Sequence, residues 1–281
     1  MMKDNMKHVC ACMLGVVLLC VSTTAHAAVD FDEGFEYVDN AAWLKSGNWG
    51  ASSCTAAQHT DIMEISSTRA FSGSKSLKMT YVGNLGATAF TCFIDRFFGG
   101  LHETTYQRVY LFLDNFTASN INTKLFTQGS HTKHYPNFWW GMFTSANTIR
   151  VSMEGTTLGS AANINGGNMP SGRWVCMETH VTLNTPGAAD GIIQLWIDGE
   201  ARINRNDIKM RNATEVLING TLPNANFNGP SARMQYVRYY RQHGVGTIYF
   251  DRFAASNSRI GCLGTATDTK PPAAPSNFVA N

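Results

Sequence analysis

The feature that most constrains the fold is a pair of alternating apolar and polar runs in the second half of the chain. The first run is Trp174–Leu183 and the second is Gly191–Ile197, and a turn containing Pro186 and Gly187 separates them. Strict alternation on both sides of a turn predicts a long antiparallel β-hairpin, with each strand buried on one side.

One face of the predicted hairpin is polar and aromatic. Alternation assigns Glu178 and His180 of the first strand, and Gln194 and Trp196 of the second, to that face. Charged, amide and aromatic side chains on one surface favour a ligand that is polar but has flat apolar faces, such as a sugar.

The N-terminus has the pattern of a secretory signal. Lys3 and Lys7 precede an apolar run over residues 9–21, and Ala25-His26-Ala27 follows it. The run is too short to span a bilayer, and Ala-x-Ala is a typical cleavage site. We therefore expect a signal peptide over residues 1–27 and a secreted or periplasmic protein. Because no later segment is apolar for long enough, we expect no membrane association after cleavage.

The cysteines agree with an oxidising compartment. Four of the seven lie beyond the predicted signal, at Cys54, Cys92, Cys176 and Cys262. An even number in an exported chain predicts two disulfides, for which three pairings exist. We favour Cys54–Cys92 and Cys176–Cys262, one in each half. Their spacing does not match a zinc site of the CxxC type, so no metal site is predicted from them.

Composition indicates a β-rich extracellular domain. The formal net charge is only +2 and no basic stripe is present, which argues against nucleic acid as a partner. Further strand-like runs alternate with turns. They are Ser76–Val82, Ala89–Phe97, Gln107–Asp114, Thr123–Thr127, Asn137–Thr144, Thr148–Glu154, Arg233–Arg241 and Gly246–Ala254. Many strands without helices predict an all-β, two-sheet antiparallel sandwich over residues 28–264. Residues 265–281 are expected to form a Pro-rich linker or tail.

The hairpin carries a family resemblance. Gly172-x-Trp174-x-x-x-Glu178, followed by Leu195-Trp196-Ile197-Asp198-Gly199, resembles the concanavalin A-like lectin and glucanase jelly rolls, most closely their polysaccharide lyase-type branch. The segments 71–77 and 249–253 resemble the opening and closing segments of such domains. The resemblance implies that one concave sheet binds an extracellular polysaccharide.

Alternation along the strands predicts which side chains line that sheet. The expected set combines cationic, amide and aromatic groups: Arg108, Tyr110, Phe112, Lys124, Phe126, Gln128, Arg150, Ser152, Glu154, Glu178, His180, Gln194 and Trp196. Aromatic rings pack on the C–H faces of sugars, and long polar side chains reach hydroxyls or carboxylates.

An eliminating lyase needs a base, an acid and a group that neutralises the substrate carboxylate. His180 is the candidate base, and Tyr110 or Tyr239 the candidate acid. The candidate neutralisers are Arg108, Gln128 and Arg150. The Arg-x-Glu-x-Arg and Gln-Ile-His strands of alginate lyases with this fold are absent. The chain also lacks the Glu-x-Asp-x-x-Glu pattern of the glucanases, which argues against hydrolysis.

A second cluster of chemically useful residues runs from His131 to Trp140, through a loop and into the next predicted strand. We expect this cluster to contact a sugar at one end of the groove. An equally good interpretation is that one of the two tryptophans packs in the core. The cluster contains His131, His134, Tyr135, Trp139 and Trp140. No cofactor is predicted apart from a structural calcium that Asp30, Asp32 or Asp251 would hold.

Two functions are therefore compatible with the sequence. One is a secreted enzyme acting on a polysaccharide, by elimination. The other is a noncatalytic carbohydrate-binding or surface-adhesion module, which the Pro-rich tail would join to a partner domain.

Overall fold

The computed structural model describes residues 29–45, 49, 63–83, 92–119, 123–130, 134–144, 146–154, 163–221, 226–241 and 243–264. The predicted signal peptide and tail, together with Cys54 and His131, lie outside the described residues, as does the predicted Cys54–Cys92 pairing. Within the described part of the chain, no helix has both the length and the apolar character needed to cross a membrane.

Strands dominate the described residues. They are β1 (Val29–Glu33), β2 (Met63–Ser66), β3 (Ser76–Val82), β4 (Cys92–His102), β5 (Thr104–Thr117), β6 (Thr123–Ser130), β7 (His134–Tyr135), β8 (Asn137–Phe143), β9 (Thr148–Glu154), β10 (Asn163–Asn168), β11 (Trp174–Thr182), β12 (Gly191–Ile197), β13 (Glu200–Ile208), β14 (Val216–Asn219), β15 (Asn226–Asn228), β16 (Met234–Arg241) and β17 (Val245–Ser256). One short helix, α1 (Asn40–Lys45), lies between β1 and β2.

Two large sheets form the molecule. The eight-stranded sheet has the order β13-β12-β11-β5-β17-β3-β2, with β1 paired to β17, and the six-stranded sheet has the order β10-β9-β8-β6-β16-β4. Strands β14, β15 and β7 form a small third sheet. The inward faces of the two large sheets share one hydrophobic core. The predicted all-β, two-sheet antiparallel jelly-roll sandwich is therefore confirmed.

The predicted hairpin is β11 and β12, in the register that alternation requires. Thr179 lies opposite Leu195, and Val181 lies opposite Ile193. Val181, Ile193 and Leu195 are fully buried in the core. Strand β11 is buried on both sides, because its outward residues are covered as well.

The core between the sheets is rich in large aromatic side chains. Trp140, Tyr239, Phe126 and Phe250 are fully buried, and the Tyr239 ring packs edge-on against the Phe250 ring at 5.3 Å. Full burial of each such side chain stabilises the fold by roughly 1.5–3 kcal/mol. Aromatic packing therefore contributes to holding the two sheets together, alongside the aliphatic and methionine side chains of the same core.

Local sequence composition is misleading at one strand. The stretch Asn163–Asn168 is rich in Asn and Gly, a composition typical of turns, and yet it forms the edge strand β10. It pairs with β9 through a register shift between Asn165 and Asn168, where Gly167 has φ of 81°. Gly166 faces the core, and a Cβ there would lie 2.6 Å from Leu195. Turn-forming residues are tolerated in this strand because an edge can be irregular.

Candidate functional site

The predicted groove residues do not lie on one surface. Strands β6, β8 and β9 belong to the six-stranded sheet, whereas β5, β11 and β12 belong to the eight-stranded sheet. We call the outward surfaces of these sheets the six-strand face and the eight-strand face. The six-strand face carries Phe93, Asp95, Phe97, Lys124, Thr127, Trp139, Gly141, Arg150, Ser152, Glu154, Tyr236, Arg238 and Tyr240. The eight-strand face carries Tyr106, Arg108, Tyr110, Phe112, Trp174, Cys176, Glu178, His180, Gln194 and Trp196. The prediction of a single shared groove is wrong, because alternation along a strand does not reveal which sheet the strand joins.

The predicted orientation of Gln128 and Phe126 is also wrong. The pairing of β6 with β8 shifts register between Lys124 and Phe126. A bulge of this kind reverses the alternation, so Lys124 points outward while Phe126 and Gln128 point into the core. Gln128 is fully buried, donates to Thr105 Oγ1 (3.1 Å) and accepts from Trp140 Nε1 (2.6 Å). Its role is to satisfy polar groups between the sheets.

Two further candidates for sugar contact are core residues. Trp140 and Tyr239 are both fully buried between the sheets. Trp140 is thus the member of the tryptophan pair that packs in the core, and Trp139 faces outward. A side chain in either core position has no contact with a ligand on the surface.

A row of outward side chains crosses the six-strand face. Each of its members lies directly opposite the next in neighbouring strands. The row is Asp95, Arg238, Thr127, Trp139, Ser152 and Asn163. With strands about 4.8 Å apart, the row is roughly 24 Å long. Asp95 and Thr127 are buried, whereas Arg238, Trp139 and Ser152 are partly exposed and Asn163 is exposed, so a polymer crossing the strands would contact the last four.

The β4–β16 end of the row is an ion pair within an aromatic wall. Arg238 donates from Nε to Asp95 Oδ1 (2.5 Å) and from Nη2 to Asp95 Oδ2 (2.7 Å), a bidentate arrangement. The guanidinium carbon lies 3.9 Å from the centre of the Phe93 ring and 5.3 Å from that of Tyr236. Phe97, next along β4, is half exposed. Apolar ring surface and a fixed charge are thus presented together.

A neighbouring row contains two cations on either side of a glycine. Gly141 of β8 lies opposite Lys124 of β6 and opposite Arg150 of β9. Because glycine has no side chain, the sheet surface is low between the two cations. Within the described residues neither cation forms a salt bridge. Arg150 packs over the Phe143 ring at 3.1 Å, and its buried Nε has no hydrogen-bond partner there.

Lys124 of this face lies over two aromatic rings. Its Nζ lies 2.7 Å from the centre of the Trp139 ring and 5.9 Å from that of Tyr240. Burial lowers the pKa of Lys124 to about 8, against a smaller opposing effect of Glu154. Glu154 itself accepts a hydrogen bond from Trp139 Nε1 at 2.8 Å. A lysine with this pKa is partly neutral near physiological pH, so it has the lone pair that a proton acceptor needs.

Tyr240 lies beside Lys124 and keeps its proton. The Tyr240 and Trp139 rings stack with centres 5.2 Å apart. Burial raises the pKa of Tyr240, while the charge of Arg238 opposes that shift. The phenol therefore remains a proton donor at a pH where Lys124 is neutral. Just beyond β16, burial lowers the pKa of His243, and the charges of Lys124 and Arg241 lower it further.

Gly129 allows the Tyr236 ring to lie close to the backbone of the six-strand face. A Cβ at Gly129 would lie 2.1 Å from Cζ of the Tyr236 ring. The ring therefore lies directly across the backbone of β6, and any side chain at position 129 would displace it. This close approach flattens the Tyr236 ring onto the sheet as a surface.

The eight-strand face is covered by residues 257–264, which we call the C-terminal strap. The disulfide predicted between Cys176 and Cys262 is present and fastens the strap to β11. Glu178 Oε1 accepts hydrogen bonds from the backbone N–H groups of Ile260 (2.8 Å) and Gly261 (3.0 Å). These contacts bury the carboxylate almost completely.

Other predicted groove residues are held by the same covering segments. Tyr110 donates its hydroxyl to the Leu263 carbonyl at 2.9 Å, and its ring stacks on Phe71 at 3.5 Å. Arg108, buried to 2% exposure, contacts the Gly261 carbonyl and Asp32, each at 3.4 Å. Trp196 lies under the guanidinium of Arg259, 4.4 Å from the ring centre. The side chains that alternation predicts to bind a ligand are therefore in contact with the C-terminal strap instead.

His180 is satisfied by its own sheet. Its Nδ1 is 2.6 Å from Gln194 Oε1, its Nε2 is 2.9 Å from Thr182 Oγ1, and its ring stacks on Tyr106 at 3.9 Å. Burial lowers the pKa of His180, against weaker effects of Gln194 and Glu178. Both ring nitrogens are therefore engaged within a neutral, structural network.

The remaining candidates lie apart from both faces. His134 and Tyr135 form β7 of the small sheet, where His134 Nδ1 is 3.3 Å from Ser231 Oγ. Of the calcium candidates, Asp251 accepts backbone N–H groups from Phe71 (2.7 Å) and Ser72 (3.1 Å). Burial raises the pKa of Asp251 to about 7. Asp32 pairs with two arginines. In the described part of the chain, no group of three or more potential ligands is positioned to hold a metal ion.

Sequence reasoning missed half of the six-strand face. Asp95, Tyr236, Arg238 and Tyr240 come from β4 and β16, and only the inward Tyr239 was proposed from these strands. A signal existed in the alternation of Tyr236, Arg238 and Tyr240 with inward Val237 and Tyr239. The same aromatic-charged-aromatic spacing occurs at Phe93, Asp95 and Phe97.

Comparison with known proteins indicates a class of polysaccharide-acting enzymes. The profile of the family polysaccharide lyase 14 matches residues 147–253, from β9 to β17. The solved structures that share the fold include the following three. "Cellulose induced protein, Cip1" has a TM-score of 0.51 and 18% identity, and the alignment covers 83% of this chain and 100% of that one. An endo-β-1,4-glucuronan lyase from the fungus Trichoderma reesei has a TM-score of 0.55 and 11% identity, covering 82% and 96%. An alginate lyase from Chlorella virus has a TM-score of 0.55 and 12% identity, covering 82% and 100%.

These similarities confirm the suspected resemblance to the lyase-type branch of the concanavalin A-like jelly rolls. Because their sequence identities to this chain are low, the solved structures establish the fold and nothing more. A comparison with curated protein sequences finds no match.

Proposed function

We propose that the protein is a secreted polysaccharide lyase whose six-strand face binds an acidic polysaccharide and cleaves it by β-elimination. The observation that carries the proposal is the pair of cations, Lys124 and Arg150, flanking Gly141 without salt bridges in the described structure. Cations without a partner on a surface favour anionic ligands. The aromatic rings beside them suit the C–H faces of sugars.

Lys124 is assigned the role of base. In its neutral form it accepts the proton from the carbon next to the uronate carboxylate. A pKa of about 8 places this group near the pH at which a general base is most effective. Arg150 is assigned to the carboxylate, where a cation stabilises the negative charge that develops as the C–H bond breaks.

Tyr240 is assigned the role of acid. As the electron pair of the broken C5–H bond forms the C4=C5 double bond, the C4–O bond breaks. The leaving oxygen takes the phenol proton of Tyr240. Arg238, held by Asp95, then stabilises the phenolate until solvent returns a proton. The products are a new reducing end and an unsaturated uronate end.

Supporting observations come from elsewhere in the chain. The lyase 14 profile covers β9, β16 and most of β17, and the solved structures sharing the fold include two lyases named for uronate polysaccharides. A disulfide joins Cys176 and Cys262, as expected in an oxidising compartment.

The decisive experiment incubates the purified protein with polyglucuronate, alginate and polygalacturonate, and follows the ultraviolet absorbance of unsaturated ends. We expect absorbance to rise with at least one polymer and to fall about 10²-fold or more in Lys124→Met. The matched control is Lys78→Met, which removes a lysine from the eight-strand face that is paired with Glu64.

Equal activity in the two lysine variants would contradict the assignment of Lys124. If no polymer yields unsaturated ends while acidic polymers still retard the protein in affinity electrophoresis, the noncatalytic binding module is the correct function. Loss of that retardation in Lys124→Met would locate the binding on the same face.

A further inference from the structure

Three side-chain pairs cross between β9 and β10 on the six-strand face, and each joins an asparagine of the edge strand to a residue of β9. The pairs are Thr148–Asn168, Arg150–Asn165 and Ser152–Asn163. In the outer two, the asparagine Oδ1 accepts a hydrogen bond from the hydroxyl opposite, at 2.9 Å for Asn168 and 2.6 Å for Asn163. The middle pair differs. Within the described residues, neither the Asn165 amide nor the Arg150 guanidinium has a hydrogen-bond partner.

A bulge in β10 places all three asparagines on the same face. Residues 165 and 168 are three apart, so in a regular strand their side chains would point to opposite sides of the sheet. The register shift between Asn165 and Asn168 brings both outward. Between them, Gly166 faces the core and Gly167 has φ of 81°. The direction of the exposed Asn165 side chain is therefore set by the backbone, beside Arg150.

Arg150 presents the outer end of its guanidinium to a ligand. The group packs over the Phe143 ring at 3.1 Å and its Nε is enclosed, which leaves Nη1 and Nη2 as the accessible donors of a partly exposed side chain. Burial lowers the pKa of Arg150, because the charged form has lost part of its hydration. An anion beside Nη1 and Nη2 would replace that hydration with charge-assisted hydrogen bonds.

The open pair lies in the same row as the proposed base. Lys124, Gly141, Arg150 and Asn165 lie opposite one another in four neighbouring strands. At about 4.8 Å per strand, the backbone distance from the first to the last is roughly 14 Å. Because Gly141 keeps the surface low in the middle, a sugar ring above it would have the amine of Lys124 on one side. The arginine and the asparagine would lie on the other side.

We propose that Arg150 and Asn165 form a two-sided clamp for the carboxylate of the uronate that is cleaved. The inference rests on the proposed function and adds Asn165 to its substrate-binding residues. Arg150 donates from its terminal nitrogens to one carboxylate oxygen, and Asn165 donates from Nδ2 to the other. Both bonds strengthen as negative charge moves onto the carboxylate during removal of the C5 proton. A neutral hydroxymethyl group at the same carbon would leave these donors unmatched, so the clamp selects uronates.

The test compares substitutions at two asparagines of β10. Asn165→Ala should lower kcat/KM on the preferred uronate polymer about tenfold, because one hydrogen bond to a charged group is lost. Asn165→Gln keeps the amide and should stay within about threefold of the unaltered chain. Asn165→Asp should lower kcat/KM about 10²-fold, since the new carboxylate repels the substrate and occupies Arg150.

The matched control is Asn168→Asp, which adds the same charge to the same strand and keeps the oxygen that accepts from Thr148. It should change kcat/KM less than about threefold. Retardation of each variant by the same polymer in affinity electrophoresis provides a second readout that does not require cleavage. Asn165→Asp should lose most of its retardation, and Asn168→Asp should retain it.

The outcomes separate the clamp from the elimination. Equal kcat/KM and equal retardation for Asn165→Asp and Asn168→Asp would overturn the clamp and leave the role of Lys124 standing. A loss in Asn165→Gln as large as in Asn165→Ala would also overturn it, because the amide would then be irrelevant. If no polymer is cleaved but Asn165→Asp alone loses retardation, the clamp is supported as a carboxylate site and the elimination is wrong. Absence of both cleavage and retardation would overturn both.

Discussion

The two outer faces of this sandwich carry similar residue types and use them differently. Both have arginine, acidic and aromatic side chains in alternating strands. On the eight-strand face, Glu178 and Arg108 are buried under the C-terminal strap and bonded to its backbone. On the six-strand face, Lys124 and Arg150 keep partial exposure and lie over rings.

The difference teaches that residue type alone does not identify a ligand surface. A buried charge is tolerated when protein donors or acceptors satisfy it, and it then contributes to the fold. A cation that the described structure leaves without a salt bridge is available to a ligand. In this molecule, whether a charged side chain is bonded to other protein groups is a better guide to its role than its residue type.

The largest expected effect is a loss of stability when the C-terminal strap is released. Replacing Cys176 and Cys262 by serine opens a loop with a sequence separation of 86. Chain entropy predicts a loss of about 4–5 kcal/mol in the free energy of unfolding. Urea denaturation measures this loss, and activity of the remaining folded protein should be nearly unchanged. A double variant that is fully stable but inactive would show that the strap supports the six-strand face.

A second test replaces one arginine on each face by glutamine. Arg150→Gln should lower kcat/KM on the preferred uronate polymer about 10²-fold, because a donor to the developing charge is lost. Its free energy of unfolding should change by less than about 0.5 kcal/mol, as at other partly exposed positions. Arg108→Gln should do the reverse, reducing stability while sparing activity. If Arg108→Gln inactivates the folded protein, the roles of the two faces are exchanged.

The smallest effect sharpens the choice of base. Lys124 acts as a base only when deprotonated, so kcat/KM should rise about tenfold per pH unit and level off above a pH of about 8. His180, whose pKa is lowered from its ordinary 6.5, would give a plateau that begins below pH 6.5. A pH profile of initial rates decides between them, and a midpoint below 6.5 would exclude Lys124.

Much of the fold was predictable from the sequence. Period-two alternation located Ser76–Val82, Thr148–Glu154 and Gly191–Ile197 with the bounds that the structure has. The hairpin register followed from the same pattern, since one face had to be buried. The pairing of Cys176 with Cys262 was favoured as one of three alternatives.

The site was predictable only in part, for two physical reasons. Alternation is a local property, so it orients Arg150 and Glu178 relative to their own strands but does not reveal that their sheets face opposite ways. The covering of Glu178 by Ile260 and Gly261 is a tertiary contact more than 80 residues away along the chain, with separations of 82 and 83. No sequence window contains that information.

The bulge at Lys124 and Phe126 has a consequence for how this protein tolerates change in length. Every residue of β6 beyond it takes its side from that one irregular step. Losing the extra residue of the bulge would leave Gln128 facing the core, whereas losing Thr127, just beyond it, would turn the buried amide of Gln128 toward solvent. Insertions and deletions in β6 beyond the bulge should therefore be rejected in relatives that keep the lysine, even where neighbouring loops vary freely in length.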